Sequence, residues 1–195
     1  MTTEIPVKVE EAGLIDWYQT LSDLDRVKLR KYIDKVDPSS QFTFFLSLIR
    51  AVVADENYRF GVSLCIATSS MEFDAYQRFL INEEFIEALV GREMYEDAKN
   101  VCNINLQIFE MVRDRILADN GGKFPEKLAF RNRYIDVIVG VEFQYDLAFE
   151  MLEKYNKMGI LSDEDLEYRR NGIKTHRLQR TFDGVYSYRK KDSEN

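Results

Sequence analysis

Apolar residues recur every three or four positions along most of the chain, which is the spacing of one face of an α-helix. Polar caps such as Ser22 and Ser40, the Asp37-Pro38 break and the loop at 119–122 separate these segments. The pattern predicts about eight helices in antiparallel pairs joined by short loops. Their predicted bounds are 22–36, 40–54, 58–69, 74–90, 95–118, 125–141, 145–158 and 162–188.

One of these segments has a second interpretation, because Val62, Leu64 and Ile66 alternate with other residues as they would in a β-strand. The chain has only 9 Gly and 3 Pro, too few turn residues for a sandwich or barrel of short strands. No alternation of strands and helices is present. We therefore predict an all-α fold in one domain, 1–195, with a loose N-terminal arm at 1–12 and a frayed tail at 189–195.

A short pattern recurs at the start of three predicted helices. In each copy an aromatic residue is followed three positions later by a small residue, and four positions further by an apolar one. The small residue lets two helices approach closely, and the apolar residue fills the core between them. The copies are Tyr58-Gly61-Cys65, Tyr95-Ala98-Cys102 and Tyr145-Ala148-Leu152.

This pattern resembles the second half of a tetratricopeptide repeat, in which a glycine-containing turn leads to an aromatic residue and then to alanine. The resemblance covers 56–158 in three units, and Gly91 and Gly140 precede the last two copies. The tyrosines are 37 and 50 residues apart, against the family's roughly 34. The resemblance implies a TPR-like right-handed superhelix whose concave face, lined by the first helix of each pair, binds a peptide or partner protein. An irregular helical bundle remains the alternative.

Composition and charge narrow the class of protein. Of the 195 residues, 45% are hydrophobic and 31% are charged, as in globular proteins. The net charge of −7 disfavours binding to nucleic acid or to anionic lipid, and no apolar run is long enough to span a membrane. Cys65 and Cys102 have no metal-site or redox spacing and are predicted to be reduced, buried thiols of a cytoplasmic protein.

Few residues suggest catalysis. The single histidine, His176, excludes metal sites built from several histidines, and no phosphate-binding loop or nucleophile–base pair is evident. Two acidic groups, 163–165 and Glu83 with Glu84 and Glu87, could hold magnesium. The alternatives are a stabilised helix start for the first group and a solvated helix face for the second. We predict a non-enzymatic chain without a metal ion or cofactor.

The last predicted helix, 162–188, has a basic side and an aromatic side. The aromatic side, with Leu178, Phe182 and Tyr186, is predicted to pack against the body of the protein. The basic side would then be available to an acidic protein, RNA or phosphate groups. The alternative is that the basic residues pair with acids of the chain itself. The candidate partner-binding residues are Arg169, Arg170, Lys174, His176, Arg177 and Arg180.

The leading prediction for function is a helical-repeat-like module for protein–protein interaction or scaffolding. Its expected partner is a protein or peptide, and a homo-oligomer is also compatible with the sequence. One alternative is a nucleic-acid-associated or regulatory protein that uses the basic last helix. A second alternative is a small all-helical enzyme.

Overall fold

The computed structural model describes the backbone of residues 4–192 and the side chains through residue 183. This part of the chain contains ten α-helices and no β-strand, which confirms the predicted all-α fold. Segment 58–69 is helical, so the helix prediction for it is also confirmed. The helices are α1 (Val7–Glu11), α2 (Ile15–Thr20), α3 (Asp23–Tyr32), α4 (Gln41–Ala54), α5 (Tyr58–Ala67), α6 (Ala75–Gly91), α7 (Tyr95–Asp119), α8 (Ala129–Gly140), α9 (Tyr145–Lys157) and α10 (Asp163–Asp192).

The contacts within the chain divide it into two compact units, Met1–Arg133 and Tyr134–Asn195. The boundary falls inside α8. The first unit therefore contains α1 to α7 and the start of α8. The second unit contains the rest of α8 together with α9 and α10.

Helix α4 lies in the core of the first unit. It begins in a capping box, in which Ser40 Oγ accepts a hydrogen bond from Thr43 N (3.1 Å) and Thr43 Oγ1 accepts one from Ser40 N (2.9 Å). Helix α4 contacts both α5 and α6. Its apolar residues occupy most of its circumference, so neighbouring elements pack against more than one side of the helix. Its buried residues are Phe44, Phe45, Leu46, Leu48, Ile49 and Val52.

The prediction of a loose N-terminal arm at 1–12 is wrong for residues 4–12, which the structure describes. Residues 7–11 form α1, in which Val9 is completely buried. The Lys8 ammonium donates hydrogen bonds to the carbonyl oxygens of Asp34 (3.0 Å) and Val36 (2.7 Å). One buried valine and two tertiary hydrogen bonds thus order a segment whose local sequence is mostly polar.

Two predicted helix ends also differ from the structure. Helix α8 begins at Ala129 rather than near Pro125, because the Glu83 carboxylate accepts hydrogen bonds from the Ala129 and Phe130 amides and caps the helix there. Helix α10 continues to Asp192, beyond the predicted end near 188, so the expected frayed tail is helical over 189–192. Residues 193–195 of that tail lie outside the described residues.

The three turns that precede the recurrent tyrosines share a backbone conformation. In each turn, the residue two positions before the tyrosine has a φ between 56° and 59°, in the left-handed region. The first two turns also share a hydrogen bond, from Asn57 N to Val52 O (3.0 Å) and from Met94 N to Leu89 O (2.9 Å). The recurrence in the sequence therefore corresponds to a recurrence in local structure. The left-handed residues are Glu56, Glu93 and Phe143.

The small residues of the pattern occupy tightly packed positions. Ala98 and Ala148 are 1% and 0% exposed. A Cβ atom added to Gly61 would lie 3.4 Å from both Ala88 Cβ and Val53 Cγ2. The prediction that these positions need small side chains is thus supported by their packing.

Replacing Ala98 or Ala148 by leucine is expected to lower the free energy of unfolding by about 1–3 kcal/mol, because the added methylenes have no space to enter. Urea denaturation followed by circular dichroism measures the change. Ala118→Leu, at an exposed position of α7, is the matched control and should change stability by about 0.5 kcal/mol or less. Equal stability of all three variants would remove the packing role assigned to the small residues.

Candidate functional site

Helix α10 contacts α9 within the second unit through the side that the sequence marks as basic. Arg170 Nη2 pairs with Glu153 Oε1, and Arg177 Nη1 lies 3.2 Å from Asp146 Oδ1. The residue numbers rise along one helix as they fall along the other, so the two helices run antiparallel. The alternative that basic residues of α10 pair with acids of the chain itself is confirmed for these two arginines.

The predicted docking face of α10 is wrong. Leu178 and Phe182 are 59% and 60% exposed, and the Tyr186 side chain lies outside the described residues. The physical reason is that Leu166 and Ile173, both buried, lie in the middle of the basic side. They pack inward while the long arginine side chains beside them reach the acids of α9.

His176 lies in a cluster of rings and cations beside the start of α9. The hydroxyl of Tyr145 is 3.2 Å from His176 Nδ1. The Phe143 ring stacks on the imidazole at a centroid distance of 6.4 Å, and the Arg180 guanidinium lies over the Phe143 ring. Arg177 lies over the Tyr145 ring. The structure thus brings His176, Arg177 and Arg180 together, in contacts that attach α10 to the turn before α9.

The remaining candidates are Arg169 and Lys174. Arg169 lines a cleft of about 350 Å³ in the second unit, and His176 lines the same cleft. Lys174 Nζ is 3.4 Å from Asn171 Oδ1 within the same helix. The six candidates therefore do not form one surface. The remaining residues that line the cleft are Ile135, Asp136, Val139, Gly140, Gly172 and Ile173.

A groove in the first unit was not predicted. It has a volume of about 350 Å³ and lies over α6, between the end of α5 and the middle of α7. Ile66 on one wall and Ile104 on the other are 58% and 47% exposed. In the sequence they are simply two more apolar residues of predicted helices. The other lining residues are Cys65, Thr68, Ser69, Arg78, Ile81, Asn82 and Phe85.

The groove has a polar floor held in place by hydrogen bonds. Asn82, 8% exposed, donates from Nδ2 to Asn105 Oδ1 at 2.9 Å. Asn105 in turn donates to Glu83 Oε1 (2.9 Å) and to the Phe79 carbonyl (3.2 Å). The Arg78 guanidinium donates to the Thr68 carbonyl at 3.0 Å. These bonds connect α6 with α7 and with the turn after α5.

The expectation that Glu83, Glu84 and Glu87 form a solvated helix face is wrong for Glu83. Its carboxylate turns inward to Asn105 and to the start of α8, and burial raises its pKa to about 7 although these hydrogen bonds oppose the rise. Glu84 and Glu87 instead form ion pairs, with Arg50 (2.9 Å) and Arg133 (2.9 Å) respectively.

Among the described residues, no group of three His, Cys, Asp or Glu side chains is placed to hold a metal ion. The thiols of Cys65 and Cys102 are buried and form no disulfide, and burial raises the pKa of the Cys65 thiol. Within residues 4–192, no helix is long and apolar enough to cross a membrane.

Comparisons with known proteins give no further guide to function. The chain matches no known protein family. No curated protein and no solved structure is significantly similar to it.

Proposed function

We propose that this chain is a non-enzymatic, helical-repeat-like module that binds a protein partner through the groove over α6. The observation that carries the proposal is the pair of exposed isoleucines, Ile66 and Ile104, on opposite walls of one groove. Exposed aliphatic side chains that line a concave surface are typical of sites that bind another molecule.

The repeat-like part of the proposal is supported by the helix pairs of the first unit. Helix α4 contacts α5, α6 contacts α7, and α6 also contacts both α4 and α5. Each first helix thus contacts its own second helix and the neighbouring pair, as in a stack of repeats. The recurrent left-handed turns before Tyr58 and Tyr95 add a second similarity between the two pairs.

The family resemblance implies binding on the first helices of the pairs, but their side chains favour a different surface. Arg50 of α4 pairs with Glu84 of α6, and Glu87 of α6 pairs with Arg133 of α8. A partner on this face would have to compete with ion pairs that already exist. The groove between α5 and α7 instead presents apolar surface, which gains free energy when a partner removes it from water.

The shape and lining of the groove indicate the chemistry of the partner. Its walls would accept aliphatic side chains between Ile66 and Ile104. The Ser69 hydroxyl, which donates to the Ile66 carbonyl (2.7 Å), can still accept a hydrogen bond from a backbone N–H of the partner. An amphipathic helical segment with apolar residues three or four positions apart has these properties. A partner peptide of this kind is the ligand class we propose.

An affinity pull-down from native lysate tests the proposal, with the full chain as bait and the captured proteins quantified by mass spectrometry. The variant Ile66→Ser/Ile104→Ser should lose at least about tenfold of a specific partner, because about 1.4 kcal/mol of lost apolar contact corresponds to a factor of ten. The matched control is Leu24→Ser/Val27→Ser, which replaces two aliphatic residues of α3 that are more exposed than Ile66 and Ile104.

The same experiment separates the alternatives. Nuclease treatment should leave the captured partner unchanged, because Arg78 is the one basic residue among the described residues that line the groove. Its guanidinium is hydrogen-bonded to carbonyl oxygens of the chain. Capture that is equal for wild type and the groove variant, or that is lost with nuclease, would contradict the proposal.

A further inference from the structure

Helix α10 presents an apolar stripe on the side that faces away from α9. Tyr168, Leu178 and Phe182 are 80%, 59% and 60% exposed. Together with the exposed residues Asn171 and Thr175 they follow one another at alternating intervals of three and four positions. This is the spacing of the seam between two helices in a coiled coil. The stripe therefore has the geometry of a surface that pairs with another helix.

The length of α10 also indicates that it packs against another helix. It has 30 residues, or about 45 Å, whereas α9 has 13. Since Arg177 pairs with Asp146, at the second position of α9, the residues of α10 after Arg180 extend about three turns beyond the start of α9. A helix of this length gains most of its stability from packing along an apolar side.

We infer that α10 pairs with α10 of a second copy of this chain, in antiparallel orientation and through the stripe from Tyr168 to Phe182. The charges at the two ends of α10 favour a second copy of this helix as the partner, and they favour the antiparallel orientation. The helix begins with three acids, 163–165, and carries three consecutive basic residues, 189–191, just before its last residue, Asp192. Antiparallel pairing sets the acidic start of each copy beside the basic end of the other, and the two helix dipoles oppose each other.

Parallel pairing of two copies would instead place acid beside acid and base beside base. Antiparallel pairing also gives a closed, two-fold symmetric dimer in which the same stripe is used by both copies. The register in which the stripes interleave sets Thr175 opposite Leu178 of the second copy, and Asn171 opposite Phe182. This interface lies in the second unit and does not depend on the groove proposed above.

Sedimentation velocity of the full chain over a range of concentrations tests the inference. The wild type should sediment as a dimer at micromolar concentration. Leu178→Glu/Phe182→Glu should sediment as a monomer, with its dissociation constant raised at least about a hundredfold, while circular dichroism shows that the chain remains predominantly helical. Met111→Glu, which replaces an equally exposed apolar residue of α7, should remain a dimer.

The orientation is tested by reversing the charge of 189–191 to glutamate. In the antiparallel pair this sets acid beside acid at both ends and should weaken the dimer at least about tenfold at low salt. In a parallel pair it would exchange one like-charged contact for another and leave the dissociation constant unchanged. A monomeric wild type, a dimer that survives Leu178→Glu/Phe182→Glu, or a dimer insensitive to the charge reversal would overturn the inference.

Discussion

Replacing Phe109 by alanine is expected to lower the free energy of unfolding by about 3–5 kcal/mol. Phe109 is completely buried, and its ring centroid lies 5.5 Å from that of Phe124 and 5.6 Å from that of Phe130. These rings, with Phe79 at 6.4 Å, join α6 and α7 to the segment that leads into α8. The substitution would leave a cavity in the middle of this cluster.

Urea denaturation of the Phe109→Ala variant, followed by far-ultraviolet circular dichroism, measures this loss. The control is Leu24→Ala, because Leu24 is 65% exposed on α3 and its truncation should cost about 0.5 kcal/mol or less. If both variants lost the same small amount of stability, the aromatic cluster would not hold α6, α7 and α8 together as described.

The second large effect is a pH dependence of stability that comes from Glu83. Burial raises its pKa from the ordinary value of 4.5 to about 7 in the folded protein. Between these two values the folded chain keeps a proton that the unfolded chain releases. The free energy of unfolding therefore falls as the pH rises through this window. The fall is on the order of 3 kcal/mol, since each unit of pKa corresponds to about 1.4 kcal/mol.

The variant Glu83→Gln should remove this dependence, because it has no proton to release. Its free energy of unfolding, compared with that of the wild type at about pH 4.5 and about pH 8, isolates the contribution of Glu83 from that of every other carboxyl. Glu96→Gln, at an exposed carboxylate of α7, is the control and should change with pH as the wild type does. Parallel pH profiles for wild type and Glu83→Gln would contradict the role assigned to burial.

The features that the sequence predicted correctly are those determined by near neighbours in the chain. Ser40 caps α4 through Thr43, three residues away. The turns before Tyr58 and Tyr95 close through hydrogen bonds that span five residues. Such contacts depend on local sequence alone, so the helices and the recurrent turns could be predicted from residue type and spacing.

The features that were predicted wrongly depend on residues far away in the chain. The start of α8 is determined by Glu83, more than 40 residues earlier. The orientation of α10 depends on Glu153 and Asp146 of α9, which make its basic side the inner one. A helical wheel places residues around one axis, but it does not show which side a neighbouring helix will cover.

The groove escaped prediction for a related reason. Ile66 and Ile104 lie one and two positions after the core residues Cys65 and Cys102, and all four are apolar residues of α5 and α7. Only the packing of α6 between the two helices decides that the cysteines are buried and the isoleucines exposed. The position of the candidate binding surface is therefore a property of tertiary structure.

The most direct test of the proposed function is site-specific photocrosslinking at the groove. A photoreactive phenylalanine analogue placed at Ile104 should give a discrete covalent adduct with one partner protein in native lysate. The same analogue at Val27, which is 67% exposed on α3, should give none. An adduct pattern that is identical at the two positions, or no adduct at Ile104, would contradict the proposal that this groove binds a protein partner.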